Sequence, residues 1–228
     1  MTLEGTNSWL LGDDDALVVV DPGPDADGHL DRIASAGRVA RIVLTHRHPD
    51  HSDGAARLHE LTGAPVDAAD PAHVHSGTVL VHGDVVAAGD VSLQVMGTPG
   101  HTSDSVCLLL GDAVLTGDTI LGRGTTVVAH PDGVLADYLD SLRRLADLGD
   151  LPALPGHGVE LASVRDAATA YLAHREQRLD QVRAVLVARG PQVSPHEVVE
   201  TVYADVDRSV WAAAELSVRA QLEYLRRR

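Results

Sequence analysis

Three histidines and one aspartate stand close together in the stretch THRHPDH, which follows a short apolar run. They are His46, His48, Asp50 and His51. Imidazole and carboxylate ligands without a cysteine thiolate suit zinc, and they also suit iron or manganese. The spacing of these side chains therefore predicts that the segment binds metal.

Three further candidates lie far away in the chain. His101 in GTPGHTSDS, Asp118 in LTGDT and His157 in LPGHG each occupy a glycine-bearing turn at or just beyond the end of an apolar, strand-like run. Sites of open α/β sheets lie beyond the carboxyl ends of strands, so we expect these turns to meet. Three protein ligands suffice for one catalytic zinc ion, and six or seven candidates therefore predict two ions.

The motifs THRHPDH, GHTSDS, GDT and PGHG, in this order, resemble the metallo-β-lactamase superfamily over about residues 7 to 160. The resemblance implies an αββα sandwich with a dinuclear site in a groove between the sheets. The implied ligands are His46, His48 and His101 for the first metal, Asp50, His51 and His157 for the second, and Asp118 as the bridge. Asp21 in VVVDPG matches the family aspartate that orients a ligand histidine, and metal-bound imidazoles need such an acceptor.

Such a centre performs hydrolysis. Two cations about 3.5–4 Å apart share a water and lower its pKa to about 7, so that a bridging hydroxide can attack a carbonyl or phosphoryl centre. Asp50 is the candidate catalytic residue, because it is expected to orient that water and move its proton. We expect two divalent cations as cofactors, zinc first, with iron or manganese as alternatives.

The strands that position these ligands are short. The runs ALVVVD and ARIVLT predict strands buried on both faces, and each precedes a segment of helical periodicity that ends at a glycine. Several short strands are expected between about residues 79 and 116, with a tight turn at Gly111 and Asp112. The stretch GVLADYLDSLRRLADLG predicts a helix. This order predicts a layered fold of the α/β (α+β) class.

No strand is predicted in the last third of the chain. A long helix is expected over about residues 161–189 and is ended by a Gly-Pro pair. The stretch SPHE predicts a capping box with Ser194 as the N-cap, and a third helix is expected from about Asp207 onward. We predict a catalytic domain over residues 1–164 and a small all-helical, winged-helix-like domain over residues 165–228.

The segments EGTNSWLLG, GRGTTVVAHPDG and HREQR, together with the C-terminal helices, resemble the β-lactamase-like protein 2 branch of the superfamily. This resemblance implies a winged-helix-like C-terminal domain and endoribonuclease activity on single-stranded RNA. His130, which follows Asp118 in the segment bordering the groove, is a candidate substrate contact. Arg175 in HREQR is expected either to form surface ion pairs with Glu176 and Asp180 or to hold the helical part against the core.

Two other function classes remain open at this point. A thioester or ester hydrolase similar to glyoxalase II shares the pattern THxHxDH, and a catalytically idle scaffold would keep the metals without turnover. The net charge of −15 argues against polyanion binding unless folding gathers the arginines, which supply all eighteen basic residues.

The remaining expectations concern location and assembly. No run approaches membrane-spanning length and no export signal is recognised, so we expect a cytoplasmic protein without membrane contact, with a homodimer as a candidate assembly. Cys107, the only cysteine, is expected to be buried on a strand as a small apolar residue.

Overall fold

The apolar runs form two five-stranded sheets in the computed structural model, which describes residues 5–227. The first sheet has its strands side by side in chain order: β1 (Trp9–Leu11), β2 (Leu17–Val20), β3 (Val39–Val43), β4 (Val66–Ala68) and β5 (Ser76–Val79). The second sheet is also in chain order: β6 (Val85–Ala88), β7 (Val91–Gly97), β8 (Val106–Leu110), β9 (Ala113–Gly117) and β10 (Ala153–Pro155). The sequence pattern does not predict β1 and β4, because three residues are too few to show a period.

Helices cover the outer face of each sheet. Their bounds are α1 (His29–Ser35), α2 (Pro49–Ser52), α3 (Ala55–Thr62), α4 (Leu135–Ala146), α5 (Val164–Arg189), α6 (Pro195–Val202) and α7 (Trp211–Arg226), with 3₁₀ turns at Pro71–His73 and Arg208–Val210. Leu30 of α1 and Leu58 of α3 pack on the first sheet, whereas Leu142 of α4 and Leu179 of α5 belong to the cluster that covers the second. The four layers confirm the predicted αββα sandwich.

The two sheets enclose an apolar layer between them. Val20 and Val43 of the first sheet meet Leu93, Leu108 and Leu115 of the second, and all five are essentially excluded from solvent. Burying one such side chain stabilises the fold by about 1.5–3 kcal/mol. This layer therefore fixes how the two sheets face each other, and with it the position of the loops at their edges.

Strand direction determines which loops share an edge. Strands β2 to β5 are parallel, β7 and β9 both run antiparallel to β8, and β10 is parallel to β9. The carboxyl ends of β7, β9 and β10 therefore lie at one edge of the second sheet. The carbonyl of Thr45, just after β3, accepts a hydrogen bond of 2.8 Å from the amide of Val106, which joins the two sheets at this edge.

One turn predicted from the sequence is confirmed. Gly111 and Asp112 form the two-residue turn between β8 and β9, in which Leu110 pairs with Ala113. In the acidic stretch that links β1 to β2, the side chain of Asp13 accepts hydrogen bonds from the amides of Asp15 and Ala16.

Local capping explains where the C-terminal helices begin. The side chain of Ser163 accepts from the amide of Asp166, so α5 begins at Val164 rather than near residue 161. The capping box at Ser194 is present, as predicted. The side chain of Asp207 caps a 3₁₀ turn, and the third helix starts only after it.

The C-terminal helices share an apolar cluster of their own. It includes Val182 and Val185 from the end of α5, Val198 of α6, and Val218 and Leu222 of α7. The first part of α5 packs instead against α4 and the second sheet. Because one helix belongs to both cores, a domain boundary at residues 164/165 stays a prediction.

Cys107 lies on β8 with no exposed surface, as predicted, and burial raises the pKa of its thiol to about 11. Within residues 5–227, no helix combines the length and the apolar character that crossing a membrane requires.

Candidate metal centre

All seven ligand candidates meet at one edge of the sandwich. His46 and His48 follow β3, and Asp50 and His51 belong to the short helix α2. The other three come from the second sheet: His101 from the loop after β7, Asp118 directly after β9, and His157 two residues after β10. The loops that follow three strands of the same direction therefore lie next to the start of α2.

The first group consists of three imidazoles. The Nε2 atom of His46 lies 3.1 Å from Nδ1 of His48, and the Nε2 atom of His101 lies 3.0 Å from that same Nδ1. These nitrogens are close enough to bind one ion. His46 is 2 % exposed, whereas His48 and His101 are half-buried and face the opening.

The second group adds carboxylates. Nε2 of His51 lies 3.3 Å from Nε2 of His157, which lies 3.2 Å from Oδ2 of Asp50. Oδ1 of Asp118 is 3.4 Å from Nε2 of both His51 and His157, while its Oδ2 is 3.7 Å from Nε2 of His101. Asp118 therefore points one oxygen toward each group, as a bridging ligand would.

The Nδ1 atoms of three of these rings, which face away from the centre, also have hydrogen-bond partners. Nδ1 of His51 lies 2.8 Å from Oδ2 of Asp21. Nδ1 of His101 is 2.8 Å from the carbonyl oxygen of Val127, and Nδ1 of His157 is 2.8 Å from that of Gly5. A carbonyl only accepts, so these Nδ1 atoms donate, and the inward Nε2 atoms keep a lone pair for a ligand role.

The arrangement fits divalent cations. Imidazole nitrogens of neighbouring rings face one another at 3.0–3.3 Å. Oδ1 of Asp118 is buried and has no hydrogen-bond partner. Buried acceptors without a donor are costly, and a cation between them satisfies both kinds of atom.

Protons compete with metal for the same nitrogens. Burial lowers the pKa of His51, but the charges of Asp21 and Asp118 outweigh burial and raise it to about 10. Burial lowers the pKa of His157, but the nearby carboxylates of Asp118 and Asp50 outweigh burial and raise it to about 10. The pKa of His46 is lowered well below its usual range, chiefly by burial.

Two glycines allow this close approach. A Cβ atom on Gly156 would lie 2.7 Å from Oδ1 of Asp118 and 2.7 Å from Cε1 of His51. Gly117 has a φ of 47°, and a Cβ atom there would meet the side chain of Thr45 at 2.7 Å. The glycines of LTGDT and LPGHG are therefore required by the packing of the site itself.

Sequence reasoning did not single out two residues that order the site. Thr45 donates its amide and its hydroxyl to Asp21, at 2.8 and 2.6 Å, and so orients the acceptor of His51. Arg47 donates to Asp104 at 2.8 Å and also to Asp132, which ties three ligand-bearing or lining loops together. The position of Arg47 between two ligand histidines is the signal that could have revealed it.

Five of the seven ligand candidates form one wall of a cavity of about 490 Å³: His48, Asp50, His101, Asp118 and His157. Threonines and Asp132 contribute polar atoms to its rim. The apolar side of the cavity is formed by Pro49, Leu121, Val127, Ala129 and Ala213. Ala213 belongs to α7, so the C-terminal helices help to enclose the cavity. Among the described residues, the lining contains no arginine.

His130, the predicted substrate contact, does not line this cavity. Its ring lies in a neighbouring groove, 3.4 Å from Oε2 of Glu223. Ala129 and Asp132, on either side of it in the chain, do line the cavity. Direct contact between His130 and a substrate at the metals stays a prediction without support from this placement.

Arg175 lies in the interior and makes no surface ion pairs. It is 6 % exposed, donates to the carbonyl of Thr126 and lies over the ring of Tyr138. Arg183 pairs instead with Glu176 and Asp180. The expectation of surface pairs for Arg175 is wrong, and its alternative holds: Arg175 joins α5 to the cavity rim.

A family model described as the metallo-beta-lactamase superfamily matches residues 1–157. The chain belongs to the metallo-beta-lactamase superfamily. A second model, the beta-lactamase associated winged helix domain, matches residues 194–228. Members of this superfamily are commonly hydrolases that bind divalent metals, and this protein is a hydrolase of that fold.

Named relatives cover most of the chain. A beta-lactamase-like protein 2 homolog of Caenorhabditis elegans is 32 % identical to this chain. The match covers 98 % of this chain and 79 % of the homolog. An atrochrysone carboxyl ACP thioesterase of Aspergillus fumigatus is 32 % identical over 82 % of this chain and 61 % of its own. The crystal structure of TTHA1429 from Thermus thermophilus, a metallo-beta-lactamase family protein, has a TM-score of 0.80 at 25 % identity, over 97 % of this chain and 88 % of that one.

Proposed function

We propose that this protein hydrolyses thioesters or esters with the help of two divalent cations. The ligands we assign are His46, His48 and His101 for one cation, Asp50, His51 and His157 for the other, and Asp118 between them. Imidazole and carboxylate donors favour zinc, with iron or manganese as alternatives. Asp21 is the residue we assign to hold the ring of His51.

Bound cations of this kind supply an activated water and positive charge for the oxygen that becomes negative in the transition state. The reaction breaks the bond from the acyl carbon to sulfur or oxygen and joins that carbon to the oxygen of water. A proton passes to the departing thiol or alcohol. We assign this transfer to Asp50, because its carboxyl group lies in the cavity wall, 3.2 Å from Nε2 of His157.

The apolar side of the cavity is the observation on which the choice of substrate depends. An acyl chain buries apolar surface against Leu121, Val127 and Ala213 at low cost. A polynucleotide needs positive side chains around its phosphates. The described lining of the cavity includes no arginine. The thioesterase named among the relatives supports the same choice.

Single-stranded RNA is the second candidate. The resemblance to the β-lactamase-like protein 2 branch favours it, and so does a gathering of arginines on α7 beside the cavity. A cytoplasmic location, a homodimer and a catalytically idle scaffold stay predictions from the sequence.

Hydrolysis assays with two substrates test the proposal. Purified protein is given the N-acetylcysteamine thioester of hexanoic acid and, separately, a labelled single-stranded RNA, each with and without a chelator. We expect thioester cleavage that the chelator abolishes and added metal restores. Metal-loaded protein that cleaves the RNA and leaves the thioester intact contradicts the proposal, and metal-loaded protein that cleaves neither favours the scaffold.

A matched pair of variants links the activity to the centre. Asp118→Asn removes the charge of the assigned bridging carboxylate, and Asp112→Asn makes the same change in the exposed turn between β8 and β9. We expect Asp118→Asn to lose bound metal and thioesterase activity together, and Asp112→Asn to keep both. Equal activity in the two variants would exclude Asp118 from the centre.

A further inference from the structure

A second groove of about 410 Å³ lies beside the metal cavity and is rich in positive charge. We call it the arginine groove; its charged lining consists of His130, Arg219, Glu223, Arg226 and Arg227. The whole chain has 18 basic against 33 acidic side chains. The groove lining has three arginines and one carboxylate, so its charge is opposite in sign to the net charge of the protein. This favours an anionic ligand.

The partners of these side chains leave two guanidinium groups for a ligand. Glu223 pairs with Arg227 at 2.5 Å and lies 3.4 Å from the ring of His130. Among residues 5–227, Arg226 donates only to the backbone carbonyl of Pro191, at 3.3 Å. The guanidinium group of Arg219 has no ion-pair partner within the described range. Arg219 and Arg226 are therefore the groups that an anion can engage.

The arginine groove and the metal cavity share two segments of chain. His130 lines the groove, and Ala129 and Asp132 line the cavity. On α7, Ala213 lines the cavity and Arg219 lines the groove six residues later, which is about 9 Å along a helix. Between them the amide of His130 donates to the carbonyl of Leu216 at 3.3 Å, so an extended ligand that occupies both spaces passes over this contact.

We propose that the arginine groove binds a phosphate on the thiol part of an acyl thioester whose scissile bond lies in the metal cavity. This inference rests on the proposed thioesterase function and names its substrate class: thioesters of phosphopantetheine, either in coenzyme A or on a carrier protein. Arginine suits this role because its planar guanidinium group binds a phosphate through two parallel hydrogen bonds.

The placement of charge favours such a ligand over RNA. A polynucleotide carries phosphates on both sides of its scissile bond, and the described lining of the metal cavity offers no arginine to those on its side. A phosphopantetheine thioester has an apolar acyl end, an uncharged arm and a distant phosphate. These three parts correspond to the apolar cavity wall, the shared segments and the arginine groove.

The kinetic test compares two thioesters of the same acyl group. Hexanoyl-coenzyme A carries phosphates, and the N-acetylcysteamine thioester of hexanoic acid does not. We expect the double variant Arg219→Ala/Arg226→Ala to raise KM for hexanoyl-coenzyme A roughly tenfold or more, since hydrogen bonds to charged groups are lost. Its kcat, and both constants for the phosphate-free thioester, are expected to stay unchanged.

Arg143→Ala is the matched control, because Arg143 is an exposed arginine on α4 outside both cavities. It is expected to leave all constants unchanged. An equal change for both thioesters in the double variant, or no change for either, overturns the proposal. Hexanoyl-phosphopantetheine on an acyl carrier protein, compared with hexanoyl-coenzyme A, shows which source is preferred.

Binding measurements keep this inference separate from the thioesterase proposal. Calorimetric titration with coenzyme A and with pantetheine, which lacks phosphates, is made on wild type and on the double variant. Tighter binding of coenzyme A that the double variant loses supports the groove even if no thioester is hydrolysed. Equal binding of the two thiols overturns it. Loss of affinity for a short single-stranded RNA, without loss for coenzyme A, would assign the groove to RNA and overturn the proposal as well.

Discussion

The sheet edge and the C-terminal helices hold their polar groups in opposite ways. At the sheet edge the groups converge and are buried: His46, His51 and His157 have 2 % or less of their surface exposed. On the helices they lie apart on the surface, as in the pair of His196 with Glu215. Arg175 is an exception, because it is buried in α5 and contacts the cavity rim.

This difference predicts where substitutions affect function and stability most. A buried polar group that loses its partner keeps the full cost of its lost hydration, whereas an exposed pair exchanges one set of hydrogen bonds for water. Substitutions at the sheet edge should therefore act strongly on metal and activity. Those on the helices should act weakly, with Arg175 between the two.

The largest effect is expected from removing one ligand. His101→Ala should lower metal content and reduce kcat/KM more than about 100-fold, because even residues that only orient ligands cost about 10–100-fold. Metal analysis and thioester hydrolysis measure this. His82→Ala, a change at an exposed histidine, serves as the control. Full metal content in His101→Ala would remove His101 from the site.

A smaller loss is expected when an orienting carboxylate is changed. Asp21→Asn keeps the size of the side chain but weakens the acceptor of His51 and Thr45. Metal affinity should fall about 10–100-fold in a competition with a chelator of known affinity. Asp25→Asn, an exposed neighbour, should bind metal as the wild type does. Equal affinity in all three proteins would mean that Asp21 does not orient a ligand.

Arg175→Met tests the contact between the two regions. The variant keeps the length of the side chain but removes the donor to Thr126 and the cation over Tyr138. We expect the free energy of unfolding to fall by about 1–3 kcal/mol, measured by denaturant titration. Arg183→Met, on the exposed side of the same helix, should change it much less. Equal losses of unfolding free energy in the two variants would show that the buried contacts of Arg175 stabilise the fold no more than those of an exposed arginine.

The smallest effect is expected at the surface pair of α6 and α7. The hydrogen bond of His196 with Glu215 raises the pKa of His196 in the folded protein. A raised pKa stabilises the fold below the unfolded value of about 6.5, and this contribution is lost as pH rises through the folded value. His196→Ala should therefore lower Tm slightly at pH 5 and not at pH 9. A difference that grows with pH would contradict this assignment.

His101, Asp118 and His157 could be predicted as ligand candidates from the sequence because each stands in a glycine-bearing turn after an apolar run, and strand direction then brings those turns to the segment THRHPDH. Their orienting partners could not be predicted so completely. His101 and His157 donate to the backbone carbonyls of Val127 and Gly5, and a carbonyl leaves no signal in the sequence. The placement of His130 differs from the expectation because adjacent residues of an irregular segment face different cavities.

By itself the sequence determined the ligand candidates, the layered α/β class and the capping box at Ser194, since these depend on side-chain chemistry, local periodicity and neighbours a few residues apart. The αββα arrangement followed from the resemblance to the superfamily. The tertiary structure alone decided that Ala213 of α7 closes the metal cavity and that Arg219 and Arg226 share a groove beside it. It also decided that Arg175 is buried. These placements depend on how helices distant in the chain pack against the second sheet, and local patterns carry no information about that packing.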